Sequence, residues 1–183
     1  MTRVDYIIVG LGIAGATLAV ELLRRNKTFM VFDQPEQNRA SAVAAGLVNP
    51  ITGKSMALTW QADRIFPLLH QWYREVEELF NKRFFFEQPI YRPFLSPGEQ
   101  NEWMGRSADP AVSNFIKKVQ ITPHNPSQVK NPYGGLLVGQ CGYLKVPLFL
   151  QSVRNQLIDI QQYVEAGFDN TKVEVTDRVV YRN

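Results

Sequence analysis

Cysteine and histidine are nearly absent. The 183-residue chain holds one cysteine, Cys141, and two histidines, His70 and His124. A lone thiol excludes an intrachain disulfide framework and a cysteine-cluster metal site, and two isolated imidazoles give no reason to expect a metal centre. Long apolar runs are missing too. No stretch reaches the ~18 uninterrupted apolar residues that a membrane span needs. The apolar run after Arg3 is broken by Asp5 and by glycines at 10, 12 and 15, so it reads as a strand and a helix rather than a signal peptide. The expectation is a soluble, cytoplasmic protein. Charge of one sign is not in large excess either: 20 Lys and Arg stand against 17 Asp and Glu, a net charge of +3. The basic residues are scattered, so nucleic acid is not an expected partner. What is present suffices for a core, since 45% of residues are hydrophobic and 20% charged, close to an ordinary globular chain.

Local patterns place the elements. Tyr6-Ile7-Ile8-Val9 is a continuous apolar run ending at a glycine, which suits a parallel strand buried on both faces. Residues 13–25 are rich in Ala and Leu and close on Arg24-Arg25-Asn26, predicting a helix whose last cations suit its negative end. Phe29-Met30-Val31-Phe32 is a second buried-strand run, and Asp33 follows it directly. Strand, helix and strand in this order form a βαβ unit. Further on, Ile65, Leu68, Leu69, Trp72, Tyr73, Val76, Leu79 and Phe80 recur at three- and four-residue steps. They predict a helix over 63–81, with Asp63 as N-cap and Pro67 in the first turn.

After residue 83 the texture changes. Phe84-Phe85-Phe86 and Pro89 to Phe94 read as strands near a sheet edge, because proline cannot donate to a ladder. Ser96-Pro97-Gly98-Glu99 is a capping box that opens a short helix to about Met104. Asp109-Pro110 is read as opening another, to about Val119, and 120–134 as a loop. Residues 135–146 read as two short strands in a hairpin around Gln140 to Gly142. A helix over 147–158 and strands at 172–175 and 178–181, joined at Thr176-Asp177, complete the reading.

Gly10-Leu11-Gly12-Ile13-Ala14-Gly15 matches G-x-G-x-x-G, and its context is that of a dinucleotide site. A buried strand precedes it, a helix follows, and an acid stands at the end of the next strand. Gly10 permits the tight turn, Gly12 lets a pyrophosphate approach the backbone, and Gly15 lets the helix pack close to the strand. The N–H groups of Ile13 and Ala14, at the helix start, would face the phosphates. Asp33 would accept bonds from an adenosine ribose, and an acid there disfavours a 2′-phosphate. The alternative is a strand-turn-helix with glycines for packing alone. A second loop, Val48 to Ser55, ends in Gly53-Lys54-Ser55 but lacks the first glycine of a nucleotide triphosphate loop, and Pro50 removes one of its N–H donors.

The βαβ unit alone fits NAD or FAD. The segment Ala40-Ser41-Ala42-Val43-Ala44-Ala45-Gly46-Leu47-Val48-Asn49-Pro50, taken with the glycine loop and Asp33, resembles the D-amino-acid oxidase family of FAD-dependent oxidoreductases, which includes glycine oxidase. Ser41 and Ala45-Gly46-Leu47 occupy the family's Ser, then Ala or Gln, Gly and an apolar residue. The resemblance implies that Gln34, Ala40 and Ser41 lie near the adenosine ribose and phosphates, and Ala45, Gly46 and Leu47 near the flavin. Cys141-Gly142-Tyr143-Leu144-Lys145-Val146-Pro147 is similar to the family's Gly-aromatic-x-x-x-Pro segment.

The implied fold class is α/β: a Rossmann-like FAD/NAD(P)-binding domain, with a parallel sheet and a βαβ start, joined to part of a mixed-sheet substrate domain. The implied organisation is a first FAD-binding segment at 1–83, a partial substrate-binding domain at 84–145 and a return to the FAD-binding domain at 146–183. Family members run to about twice this length, so the chain reads as an N-terminal fragment of a longer protein, with the substrate-binding residues beyond residue 183. The implied activity is oxidation of a C–N bond in an amino acid or secondary amine, with hydride passing to FAD. The alternatives are an NAD-dependent dehydrogenase or the oxidase domain of a tRNA-modifying enzyme. No catalytic residue is assigned. His70 beside an apolar helix stripe is read as a structural or surface residue, and Tyr91, Arg92 and Tyr143 as sheet packing. Apolar surface where further strands should pack predicts self-association.

Overall fold

The computed structural model describes residues 3–34, 40–53, 55–175 and 179–181. In chain order, strand β1 (Tyr6–Val9) leads to helix α1 (Ile13–Arg24), strand β2 (Phe29–Asp33) and the short helix α2 (Ala40–Val43). Strands β3 (Leu47–Val48), β4 (Ile51–Thr52) and β5 (Ala57–Leu58) follow, then the long helix α3 (Ala62–Phe80). Strands β6 (Phe85–Glu87) and β7 (Ile90–Pro93) precede helices α4 (Pro97–Arg106) and α5 (Pro110–Ser113). Next come β8 (Ile116–Gln120), β9 (Gly135–Val138), β10 (Gly142–Leu144), helix α6 (Val146–Asp159) and β11 (Tyr163–Glu165). A 3-10 turn at Asn170–Lys172 leads into β12 (Val173–Val175) and β13 (Val179–Tyr181).

These elements form two compact units, Met1–Ala44 with Val146–Asn183, and Ala45–Lys145. The first unit is built on a parallel sheet in the order β1-β2-β11. Tyr6 stands opposite Phe29 and Val9 opposite Phe32, while Tyr163 and Glu165 of β11 stand opposite Val31 and Asp33. Helix α1 turns Ala16, Ala19, Val20 and Leu22 inward, and α6 supplies Phe149, Val153 and Leu157. Ala16 and Ala19 are fully buried and keep the inward face of α1 small. The expected burial on both faces holds for β2, with Phe29, Val31 and Asp33 covered on one face and Phe32 on the other. It does not hold for β1, where only Ile8 is buried, because β1 is an edge strand among the described residues. Strand β11 escaped the sequence reading altogether.

The second unit contains two antiparallel sheets, β7-β9-β8 and β3-β10-β6, and the ribbon β4-β5. Its core joins Ala62 and Phe66 of α3 to Phe94, Trp103, Phe115, Leu136 and Val138. Residues 45–83 therefore fold with 84–145, and the unit boundary falls at 44/45 rather than 83/84. The proline-bearing β7 and the strand β6 both lie at sheet edges, as their composition suggests.

Four local expectations are corrected. Helix α3 starts one residue earlier, with Gln61 in the left-handed region as its N-cap. Asp63 instead lies in the first turn, where its charge complements the helix dipole, and Pro67 sits inside the helix. The helix read over 110–119 stops at Ser113, and Ile116–Gln120 is a strand on β9. Its β-branched Ile116 and Val119 suit a pleated surface, and pairing overrides the local helix signal. Strands β9 and β10 do not form a hairpin: Gln140, with φ +52°, turns the chain from one sheet to the other. The Ser96 box forms in altered shape. Ser96 Oγ accepts the Glu99 N–H at 3.1 Å, but the Glu99 carboxylate takes the N–H of Leu95, at 2.7 Å, not that of Ser96. The joint at Thr176-Asp177 lies outside the described residues, as does Lys54.

Candidate functional site

The site grows from the end of β1. Gly10 has φ +89°, a conformation L side chains rarely adopt, and its N–H continues the ladder to Phe32 O at 2.8 Å. Gly12 is the N-cap of α1 and Ala16 makes the first intrahelical bond, back to Gly12 O. A Cβ on Gly15 would lie 2.0 Å from Gly10 O, so only glycine lets α1 start this close to the strand. A Cβ on Gly12 would come 3.2 Å from Ser41 Oγ. Ser41, the second residue of α2, accepts the N–H of Ile13 at 3.2 Å. The Ile13 N–H, expected to be unpaired, thus has the Ser41 hydroxyl as its acceptor. The N–H groups of Ala14 and Gly15 remain in the first turn, where helix geometry provides no partner.

Asp33 stands at the C-terminal end of β2 and is 3% exposed. Its Oδ1 accepts the Leu11 N–H at 2.9 Å, tying the glycine loop to the second strand. Its Oδ2 accepts from Tyr163 OH at 3.1 Å and from the Arg154 guanidinium at 3.3 Å. Burial, and then the Asp33 charge, push the Tyr163 phenol up to about 12, so it stays protonated and donates.

A pocket of about 440 Å³ opens here, lined on one side by Val9, Gly10, Leu11 and Gly12. Phe32, Asp33, Gln34, Ala40 and Ser41 form another wall, and Ala166, Gly167 and Phe168 close the third. Phe168 packs edge-on to Phe32 at 5.5 Å and stacks on Tyr181 at 4.6 Å. Of the residues singled out in the sequence, Gly10, Gly12, Asp33, Gln34, Ala40 and Ser41 line this pocket, and Ile13, Ala14 and Gly15 form the first helical turn beside it. Ala45, Gly46 and Leu47 belong to the second unit. There Gly46 has φ +67° and accepts from Leu144 N at 2.8 Å, and Leu47 pairs with Tyr143. Arg154, Tyr163 and Ala166 to Phe168 were not found from the sequence.

The remaining candidates sit in the second unit. His70 lies edge-on to Phe85 at 5.3 Å, with Nδ1 3.2 Å from Glu87 Oε1. Tyr91 packs on the His124 ring at 4.9 Å, Arg92 reaches Glu99 and Gly53 O, each at 3.2 Å, and Tyr143 stacks on Phe86 at 4.9 Å. Among the described residues no cluster of three or more His, Cys, Asp or Glu could hold a metal, and no helix is long and apolar enough to cross a membrane.

A parallel sheet, a glycine turn into a helix N-terminus, and a buried acid across a pocket define a dinucleotide-binding α/β protein. The residues present fit the adenosine and pyrophosphate part of such a cofactor, because Gly10 and Gly12 bring bare backbone to the pocket wall and Gly15 lets the helix start close behind it. Residues 5–172 match the model of the FAD-dependent oxidoreductase (DAO) family, and the chain belongs to that family. Its fold resembles that of iminodiacetate oxidase from Chelativorans sp. BNC1, with TM-score 0.72 and 14% identity over 97% of this chain and 53% of that one. It also resembles L-proline dehydrogenase from P. horikoshii, with TM-score 0.69 and 13% identity over 98% of this chain and 50% of the other. Glycine oxidase from Geobacillus kaustophilus gives 0.65 and 16%, over 95% and 49%. The chain thus spans about half the length of these structures.

Proposed function

We propose that the protein acts as an FAD-dependent oxidoreductase on the C–N bond of an amino acid or secondary amine. The observation that carries the cofactor half is the approach of Gly15 to Gly10, which leaves bare main chain at a helix N-terminus, with Asp33 across the pocket. FAD supplies the hydride acceptor when bound. The chain's own residues do the holding. The first turn of α1 offers N–H groups to the pyrophosphate, and Ser41 fixes the start of that turn by bonding Ile13. Asp33 grips the ribose and, through Leu11, keeps the loop in register with β2. Gln34 and Ala40 complete the wall beside it. Ala45, Gly46 and Leu47 are assigned to flavin contact on their resemblance to the family segment alone. The substrate half is supported by the names of the similar structures, which are amine and amino-acid oxidising enzymes. The proposal extends to a cytoplasmic setting.

The test is spectral. Purified protein should carry, or take up on titration, a yellow chromophore with flavin absorbance, and should quench the fluorescence of added FAD. NAD added at the same concentration should not compete. A colourless protein that leaves FAD fluorescence unchanged overturns the cofactor assignment. Amine-dependent reduction of the bound flavin tests the substrate half.

A further inference from the structure

The acid that lines the pocket is held by two side chains far away in sequence. Arg154 comes from α6 and Tyr163 from β11, and both donate to the same oxygen, Asp33 Oδ2. The other oxygen takes the Leu11 N–H. The three bonds converge on a carboxylate that is almost wholly buried, while Arg154 keeps about a third of its side chain exposed (32%). The guanidinium also lies over the Tyr163 ring, 5.7 Å from its centroid. In register, Glu165 of β11 stands opposite Asp33 and places a second acid at the same end of the sheet. Charged and titratable groups facing Asp33 thus include Arg154 from α6 and Tyr163 from β11, with Glu165 opposite it in register.

We propose that Arg154, with Tyr163, is a positioning residue for cofactor binding: it fixes the rotation and the ionised state of the Asp33 carboxylate that grips the ribose. The inference rests on the reading that a dinucleotide occupies the pocket. A buried carboxylate needs a counter-charge to remain an acceptor, and Arg154 is a cation hydrogen-bonded to it. Both donors sit on Oδ2, so the carboxylate plane is set by three points: Leu11, Arg154 and Tyr163. Loss of the guanidinium removes a positive charge from beside the carboxylate while Glu165 stays opposite it in register, which favours protonation. A protonated acid loses the acceptor strength that a ribose hydroxyl requires.

The experiment measures FAD affinity of the full chain by quenching of flavin fluorescence from pH 5.5 to 8.5. It uses wild type, R154M, R154K, Y163F and D33A, with melting temperatures measured alongside. Wild type should bind with little change over this range. R154M should bind roughly tenfold more weakly, in keeping with a lost hydrogen bond to a charged group, and the deficit should widen toward acid. R154K, which keeps the charge, should recover the flat pH profile. Y163F, which removes only a hydroxyl, should weaken binding severalfold and carries the test if R154M fails to fold. If R154M and Y163F both match wild type within twofold at every pH while D33A weakens binding, the inference is overturned and the cofactor reading stands. A wild type that binds no FAD overturns both. A fall in melting temperature with unchanged affinity shows a purely structural ion pair and also overturns the inference.

Discussion

Gly15 and Gly10 are so close that a β-carbon on the first would sit 2.0 Å from the carbonyl oxygen of the second. The contact is with backbone, which cannot rotate away as a side chain does. Gly15→Ala removes a residue with poor helix propensity, a gain of at most ~1 kcal/mol. It also forces α1 off β1, and overpacking costs about 3 kcal/mol. We expect a net loss of stability of about 2 kcal/mol in urea denaturation, together with loss of FAD binding. Stability equal to wild type would show that the helix start has room to move.

Glu77 closes a second local joint. Its Oε1 accepts the N–H groups of both Phe84 and Phe85 at 2.7 Å, fixing the chain as it leaves α3 for β6. Both phenylalanines are buried, so water reaches these donors poorly. Glu77→Ala should cost about 3 kcal/mol, and Glu77→Gln, which keeps an acceptor oxygen, about 1 kcal/mol. Equal losses for the two variants in chemical denaturation would argue that the acceptor is not what matters.

The turn from β1 into α1 and the placing of Asp33 at the end of β2 were legible because their signals are local: fixed glycine spacing and an apolar run before and after. The same holds for the Ser96 cap and for α1 and α6. Ser41 was singled out only by the family resemblance. The rest depends on pairing across the chain. Strand β11 is three residues long, and only its parallel register on β2 gives it a strand's environment. Arg154 and Tyr163 have no distinguishing sequence context; they matter because α6 and β11 bring them to Asp33. Residues 110–119 misled because Asp109-Pro110 is a true helix start, and the chain leaves the helix after Ser113 to pair with β9. The domain boundary misled for a similar reason, since the burial of Phe66 against Phe94 and Phe115 cannot be read from the period of α3.

Alkaline pH should destabilise the fold in a defined window. Burial pushes Tyr73 up to about 12, and burial together with Asp33 does the same for Tyr163, from an ordinary phenol value of 10.0. Between these values the unfolded chain has lost the phenolic proton and the folded chain has kept it. Unfolding then releases protons, and stability falls as pH rises from about 10 toward 12. The Cys141 thiol, raised by burial from 9.0 to about 11, adds a loss of the same sign between those values. Denaturation midpoints at pH 9, 10 and 11 should decline progressively, and Tyr73→Phe should reduce the decline. A variant with the wild-type slope would mean that Tyr73 ionises as freely folded as unfolded.

Strand β1 lies at the edge of its sheet among the described strands, with Tyr6 46% and Val9 57% exposed. An edge strand with apolar side chains presents its open backbone groups as a template for another strand. We expect the 183-residue protein to associate with itself as concentration rises, which light scattering would show as a mass above 20.9 kDa. Tyr6→Lys puts a charge on that edge without touching the pocket lining, since Tyr6 is not among the pocket residues. It should return the mass toward the monomer value and leave FAD affinity unchanged. A monomeric wild type at high concentration would refute the prediction. Association that persists undiminished in Tyr6→Lys would move the contact to another surface, with exposed Leu47 of β3 as the next position to substitute.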